Sequence, residues 1–303
     1  MTEPSPERPQ SAASAARRST DDPGVFLIPQ EALPPGFGEK VAAGGFTAVK
    51  PRPAATVLLV RDGTAAPEVL LLRRHGRSGF AADAWVFPGG VVDAADRDLS
   101  VVDRLDGPTP SEWAARLGLD DPAEAVGYVV AALREAFEET GILLARDAAG
   151  APVGAGEALE VARRALLADV IAMREVIVGQ DLRLAGDGLA YVAHWITPEA
   201  EPRRYDTRFF LARVEPDAVC VTHEAEMTDS VWITAADAVR HFEDGGLRLL
   251  PPTIHTLRRL VGLAPVDAIF ARLGDAPVPA ILPAMRPHPD GVAIVLPEEA
   301  REG

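Results

Sequence analysis

Three glutamates within one short stretch are the residues of this chain best suited to chemistry. In residues 134–142 (REAFEETGI), Glu135, Glu138 and Glu139 are spaced i, i+3 and i+4, so a helix places their carboxylates on one face within about one turn. Like charges this close repel each other, and a hard divalent cation relieves the repulsion because Mg²⁺ prefers oxygen ligands. Arg134 can hold one carboxylate by a charge-assisted hydrogen bond. A solvated acidic helix face is the alternative interpretation of the same spacing.

The surrounding sequence predicts the helix that carries these carboxylates. Asp121, Pro122 and Glu124 are typical of an N-cap, a first helical residue and a capping-box glutamate. Gly141 suits the left-handed residue that follows a last turn. An apolar stripe at 3.6-residue spacing joins the two ends: Val126, Val129, Val130, Leu133, Ala136 and Phe137. The glutamates lie off this stripe, so we expect one face of the helix to be anchored and another to present carboxylates.

A glycine-containing turn lies upstream of this helix. In Phe87-Pro88-Gly89-Gly90 the glycines let the backbone approach a ligand closely and offer carbonyl oxygens. With the glutamates, this turn resembles the Nudix box, G-x5-E-x7-R-E-U-x-E-E-x-G-U, where U is an aliphatic residue. Asp96 stands where the box has its first glutamate, and residues 97–133 separate Asp96 from Arg134, where the box has only seven residues.

This split box resembles one branch of the family, the peroxisomal coenzyme A diphosphatase type of Nudix hydrolase. Residues 194–198 (HWITP) and 203–211 (RRYDTRFFL) resemble that branch too, so the resemblance covers about residues 55–260. It implies an α/β/α sandwich with a mixed central sheet, a cap insertion inside the box and a helical C-terminal extension. It also implies Mg²⁺- or Mn²⁺-dependent hydrolysis of a nucleoside diphosphate linked to another group, with coenzyme A or acyl-coenzyme A cut to 3′,5′-ADP and (acyl-)phosphopantetheine.

The resemblance also implies roles for individual residues. The implied metal ligands are the carboxylates of Glu135, Glu138 and Glu139 and the carbonyl of Gly89 or Gly90. Arg134 would orient a glutamate. The general base is expected to be Glu138 or Glu226, with Glu224 as the second choice in its cluster, although a solvated acidic loop explains residues 223–226 equally well.

Two arginines are candidates for binding the substrate phosphates. Arg74 lies in a basic cluster and matches the signature of coenzyme A-specific Nudix enzymes, LLTxR[SA]-x3-R-x3-G-x3-FPGG, which the chain keeps in part. The chain keeps Leu70, Leu71, Arg74 and the FPGG turn, and departs at Leu72, His75, Gly79 and Asp83. Strand alternation places Arg204, Asp206 and Arg208 on one face that would line the substrate groove. A solvated loop and surface salt bridges are the respective alternatives.

Composition limits the partners and the compartment. Of 303 residues, 30 are Lys or Arg and 45 are Asp or Glu, giving a net charge of −15 and a pI near 4.9, which argues against nucleic acid and anionic membranes as partners. A small anionic substrate remains compatible, since a bound cation reverses the local charge. The single cysteine, Cys220, excludes an intrachain disulfide. No run of 18 apolar residues predicts a membrane span, and a cytoplasmic location is expected.

The expected organisation is a disordered tail at residues 1–24, a catalytic domain at 50–245 and a C-terminal extension at 246–303 packed on the same domain. Inserts are expected at about 97–120 and, as helices, at about 156–180, and a terminal hairpin at 278–286 with 292–296. A homodimer is expected only from the family resemblance.

Two rival functions remain open. The same site could cut ADP-ribose, a dinucleotide or a damaged nucleotide, or the domain could be a non-catalytic nucleotide-sensing module. A triad hydrolase, a P-loop enzyme and a dinucleotide fold are disfavoured because G-x-S-x-G, Walker A and G-x-G-x-x-G motifs are missing from the sequence.

Overall fold

The computed structural model describes residues 17–18, 22–45, 47–76, 82–223, 225–274 and 276–301. The strands are β1 Arg17–Arg18, β2 Val25–Pro29, β3 Arg52–Arg61, β4 Glu68–Arg74, β5 Trp85–Val86, β6 Gly89–Val91, β7 Ala145–Arg146, β8 Arg183–Leu184, β9 Leu189–Ile196, β10 Tyr205–Arg213, β11 Met227–Thr234, β12 Ala280–Ile281, β13 Ala284–His288 and β14 Gly291–Val295. The helices are α1 Phe37–Ala43, α2 Leu99–Val102, α3 Pro110–Leu117, α4 Pro122–Thr140, α5 Glu157–Leu167, α6 Met173–Gly179, α7 Ala235–Glu243, α8 Pro251–Leu260 and α9 Val266–Leu273.

The central sheet is mixed. Its strand order is β11-β4-β3-β10-β9-β12, with β5 paired to β4 and β6 paired to β3. The pairs β3–β10 and β9–β12 are parallel and the others are antiparallel. The β3 segment Arg52–Arg61 is buried on both faces over most of its length, as expected for a strand covered by helices on both sides.

Helices cover both faces of this sheet. One core contains Trp113 of α3, Phe137 of α4 and side chains of α5 and α6. The opposite core contains side chains of α7, α8 and α9, including Leu257, together with Phe26 and Ile294 from outside the central sheet. The resulting three layers confirm the predicted α/β/α sandwich.

The residues that separate the two halves of the box form helices. Residues 94–97 form a short 3-10 turn, after which α2 and α3 lead into α4. The helix α3 has a complete capping box between Thr109 and Glu112, and its Trp113 is fully buried against α4 and the sheet, with its ring 6.0 Å from that of Phe210. The insertion therefore packs on the catalytic helix. The expected helical insert near 156–180 corresponds to α5 and α6.

A second sheet, in the order β1-β2-β14-β13, joins the two ends of the chain. The predicted terminal hairpin is present as β13 and β14. The pairing of β14 with β2 was not expected, and it arises because Phe26 and Ile28 alternate inward from β2 and are buried in the same core as α8. In the part of the chain that the structure describes, no helix is both long enough and apolar enough to cross a bilayer.

Candidate active site

The helix α4 begins and ends where the sequence predicts. The Asp121 side chain accepts a hydrogen bond from the Ala123 amide at 2.9 Å, and Gly141 takes the left-handed conformation with φ 74°. In the described structure Glu124 does not return a capping-box bond, so Asp121 and the proline at the first turn define the start of the helix. The last two turns carry the three glutamates.

Arg134 contacts three carboxylates at the site. Its Nε and Nη2 donate to the two oxygens of Asp96 at 2.8 and 3.0 Å. Its Nη1 donates to Glu135 Oε1 at 2.8 Å and to Glu138 Oε2 at 2.9 Å, and Nη2 also reaches the Val91 carbonyl at 3.0 Å. Arg134 is 7% exposed and Asp96 1%. One buried guanidinium thus fixes three carboxylates, a geometry that arginine's planar fork suits.

Glu139 ties the glycine turn to α4. It is buried, and its Oε2 accepts a hydrogen bond from the Gly89 amide at 3.0 Å. Burial raises the pKa of Glu139 well above its usual range, and the nearby charge of Glu135 adds to this rise. The hydrogen bond from Gly89 and the charge of Arg74 oppose it. The buried carboxylate of Glu139 is therefore held close to that of Glu135, and the lost hydration and the mutual repulsion cost free energy.

The other two glutamates are similarly perturbed. Burial raises the pKa of Glu135 to about 7 against the opposing charge of Arg134, and repulsion from Glu138 contributes. Burial also raises the pKa of Glu138. Among the described residues, no three Asp, Glu, His or Cys side chains are arranged so that they could hold a metal ion. Arg134 binds Glu135 and Glu138, and the Gly89 amide binds Glu139. As a donor set, however, three crowded carboxylates fit a hard divalent cation.

Close packing explains both glycines of the turn. Gly89 pairs with Thr56 and Gly90 with Ala55 in the β3–β6 ladder. A Cβ added at Gly90 would lie 2.2 Å from Glu135 Oε1, and one added at Gly89 would lie 2.4 Å from the Ala55 carbonyl. In a strand the N–H and C=O of one residue point the same way, so the Gly89 carbonyl faces the same side as its amide, toward Glu139.

The segment before Glu226 caps the C-terminus of α4. The Val221 amide donates to the Thr140 carbonyl at 2.8 Å and the His223 amide to the Glu139 carbonyl at 3.3 Å. Glu226 is exposed, lines the same cavity as the helix glutamates, and its charge contributes to the raised pKa of Glu139. The second choice, Glu224, lies outside the described residues.

A buried arginine that the sequence analysis did not single out supports this arrangement. Arg163 of α5 is 2% exposed. Its Nε and Nη2 donate to the Glu138 carbonyl at 3.1 and 2.9 Å, and Nη2 also donates to the Val221 carbonyl at 2.6 Å. Arg163 therefore joins α5, the end of α4 and the segment leading to Glu226. The only available signal was an arginine within an amphipathic helix, which is ordinarily a surface residue.

A cavity of about 500 Å³ opens beside these carboxylates. Its lining includes both glycines of the turn, the three helix glutamates, Arg134, Glu226 and Arg74. The Arg74 Nε is buried and makes no hydrogen bond to any described residue. The guanidinium of Arg74, which lines the cavity, suits an anion bound there. The structure thus brings together the sequence-predicted site residues other than Arg204, Asp206 and Arg208, and Glu224 lies outside the described residues.

Arg204 lies elsewhere, and its expected position in the groove needs correction. Its Nε donates to the Thr197 carbonyl at 2.9 Å and its Nη1 to the Val49 carbonyl at 2.8 Å. Alternation on β10 turns Tyr205 and Thr207 into the cavity, whereas Arg208 is buried against the Tyr128 ring and the Leu117 carbonyl beneath α3. The phase of the alternation, which sequence alone does not fix, is opposite to the one expected.

Comparison with known proteins gives the family of this chain. The family model described as the NUDT19 Nudix domain matches residues 42–260. The chain is 29% identical over 270 residues to the acyl-coenzyme A diphosphatase NUDT19 of Gallus gallus, covering 76% of this chain and 71% of that protein. It is 31% identical over 234 residues to the protein of the same name from Homo sapiens, covering 65% and 61%. A crystal structure of a NUDIX hydrolase from Alicyclobacillus acidocaldarius superposes with a TM-score of 0.64 at 28% identity, covering 76% of this chain and all of that one.

The sandwich fold, the glycine turn and the glutamate helix define a hydrolase of the Nudix diphosphatase class. Within that class the chain belongs to the NUDT19 Nudix family, which confirms the resemblance found in the split box.

Proposed function

We propose that this protein hydrolyses the diphosphate of coenzyme A or an acyl-coenzyme A, giving 3′,5′-ADP and (acyl-)phosphopantetheine. The observation that carries the proposal is one cavity that joins the carboxylates of α4 to the basic side chain of Arg74. Relatives named acyl-coenzyme A diphosphatase support the choice of substrate. A diphosphate next to crowded carboxylates requires a positive charge between them.

The carboxylates of Glu135, Glu138 and Glu139 and the carbonyl of Gly89 are the groups that would hold Mg²⁺ or Mn²⁺; Gly90 instead gives Glu135 the space it occupies. When bound, such a cation polarises a diphosphate and lowers the pKa of a water molecule.

The remaining roles fall to this chain's own side chains. Arg134 keeps Glu135 and Glu138 in place from beneath. Arg74 binds a phosphate oxygen as a charged donor. Glu226, exposed at the mouth of the cavity, accepts the proton of the attacking water, and Glu138 is the alternative base. These roles need side chains that donate or accept a proton at the cavity, and Arg134, Arg74, Glu226 and Glu138 all line it.

A product analysis tests the proposal. The purified protein is incubated with Mg²⁺ or Mn²⁺ and coenzyme A, acetyl-coenzyme A, ADP-ribose, NADH or 8-oxo-dGTP, and products are separated by chromatography. We expect 3′,5′-ADP from the first two with the highest kcat/KM. A tenfold or greater preference for another compound would show that coenzyme A is not the preferred substrate. Ligand-induced thermal stabilisation without turnover would favour the nucleotide-sensing alternative.

Arg74 is tested against its neighbour. Arg74→Gln should raise KM for coenzyme A about tenfold, as expected for loss of one charge-assisted phosphate contact. Arg73→Gln is the matched control, because Arg73 is exposed and pairs with Asp83. Equal effects of the two substitutions on KM would contradict a specific role of Arg74 in binding the substrate.

A further inference from the structure

The cavity has two chemically different ends. Its carboxylate end is formed by α4 and the glycine turn, as described above. The other end, here called the uncharged end, is formed by β9, the start of α8 and the second sheet, and includes Trp195, Ile196, Leu250, Pro252, Pro283 and Ile294. Trp195 and Ile294 belong to the core on the opposite face of the central sheet from α4. The cavity is therefore lined by residues that belong to both faces of the sheet.

Charge is distributed unequally between these ends. Among the described lining residues, every Arg, Asp and Glu belongs to the carboxylate end, and the uncharged end offers only apolar side chains and the hydroxyls of Thr and Tyr residues. A phosphate moved into such surroundings loses its hydration without gaining a cation. The 3′-phosphorylated adenosine half of coenzyme A is consequently a poor occupant of the uncharged end, whereas a flexible arm without net charge is a good one.

An aromatic ring at the uncharged end strengthens this match. The Trp195 ring lines the cavity and packs edge-on against the His255 ring, with 5.2 Å between the ring centroids. A pantetheine arm and a following acyl chain would contact the indole, proline and isoleucine side chains of this end by apolar burial.

We propose that the uncharged end binds the pantetheine arm and acyl group of the substrate, so that the 3′-phosphorylated adenosine half lies at the carboxylate end, beside Arg74. This orientation rests on the proposed function. It assigns the recognition of the acyl group to the C-terminal extension, through α8 and the second sheet, and leaves recognition of the charged half to the glycine turn and β4.

Binding of the two products to variants tests the orientation separately from catalysis. Leu250→Asp places a negative charge at the uncharged end, and folding should be retained because Leu250 is half-buried and occupies the N-cap of α8, where aspartate is favoured. The matched control is Leu282→Asp, since Leu282 is 39% exposed and outside the cavity lining. Calorimetry with Mg²⁺ measures binding of octanoyl-phosphopantetheine and of 3′,5′-ADP.

We expect Leu250→Asp to weaken octanoyl-phosphopantetheine binding at least about tenfold while 3′,5′-ADP binding stays the same, and Arg74→Gln to do the reverse. The control should change neither. Unchanged octanoyl-phosphopantetheine binding, or a loss confined to 3′,5′-ADP, in Leu250→Asp overturns the orientation even if the wild type hydrolyses acyl-coenzyme A. Absence of that hydrolysis in the wild type would instead overturn the proposed function.

Discussion

Arg134 and Asp96 form a buried two-point ion pair across the insertion that splits the box, with N–O distances of 2.8 and 3.0 Å. Asp96 stands at the position where the family motif has glutamate, and its shorter side chain makes this contact with Arg134. The helices α2 and α3 lie between the two residues in the chain and pack against α4 or its neighbours, so the insertion leaves the pair intact.

Asp96→Asn should therefore destabilise the protein by about 3 kcal/mol, because it leaves part of a buried guanidinium without its charge partner. It should also reduce kcat/KM by about tenfold or more, since Arg134 positions the glutamates. Denaturant unfolding measures the first effect. Asp93→Asn, at an exposed carboxylate 3.8 Å from Arg134, should cost less than about 0.5 kcal/mol; similar losses in both variants would contradict a special role for Asp96.

Glu139→Gln should separate stability from activity. The amide oxygen of glutamine can still accept the Gly89 hydrogen bond, while the buried negative charge that Glu135 repels is removed. Hydrolysis should fall at least about a hundredfold, and the metal-free variant should unfold at a higher denaturant concentration than the metal-free wild type. Added Mg²⁺ should stabilise the wild type more than the variant. Retained Mg²⁺-dependent hydrolysis would exclude Glu139 from catalysis.

Alanine substitutions at the two glycines should have different consequences. At Gly90 the three atoms nearest to the added methyl belong to the Glu135 carboxylate, which would have to leave its contact with Arg134, so Gly90→Ala should lower activity more than stability. At Gly89 it meets the Ala55 carbonyl and the Thr56 backbone, and Gly89→Ala should cost about 1–3 kcal/mol. Thermal unfolding and kcat, measured together, check this; an inactive but equally stable Gly89→Ala would argue against the backbone clash.

Arg163→Met should weaken the link between α5, α4 and the segment before Glu226. Two carbonyls, of Glu138 and Val221, lose their buried donor, at about 1–3 kcal/mol each. We expect reduced kcat with KM little changed, because the segment carrying the candidate base is loosened while Arg74 is untouched. Arg164→Met is the control, as Arg164 is 66% exposed; if both variants behave alike, Arg163 has no positioning role.

His255 should make stability depend on pH. Burial lowers the pKa of His255 below its usual 6.5, outweighing the hydrogen bond to the Ala300 carbonyl, and the nearby Arg259 and Arg258 lower it further. The folded state therefore favours neutral His255, and its contribution to stability is present above pH 6.5 and is lost as the pH falls through the lower folded-state pKa. Between pH 7 and 5 the wild type should lose more unfolding free energy than His255→Gln. His288→Gln, at the surface, should keep the wild-type slope.

The sequence alone determined the catalytic helix, since its caps, apolar period and glutamate spacing are local properties read over a few turns. It also predicted the glycine turn, because close backbone approach restricts the residue type directly. Tertiary structure decided what these parts contact. The partner of Arg134 depends on the path of an insertion, the role of Arg163 on where α5 packs, and the position of Arg204 on which face of β10 meets the cavity. The pairing of β2 with β14 likewise joins distant ends of the chain. Such relations are set by packing between segments remote in sequence, for which local periodicity carries no information.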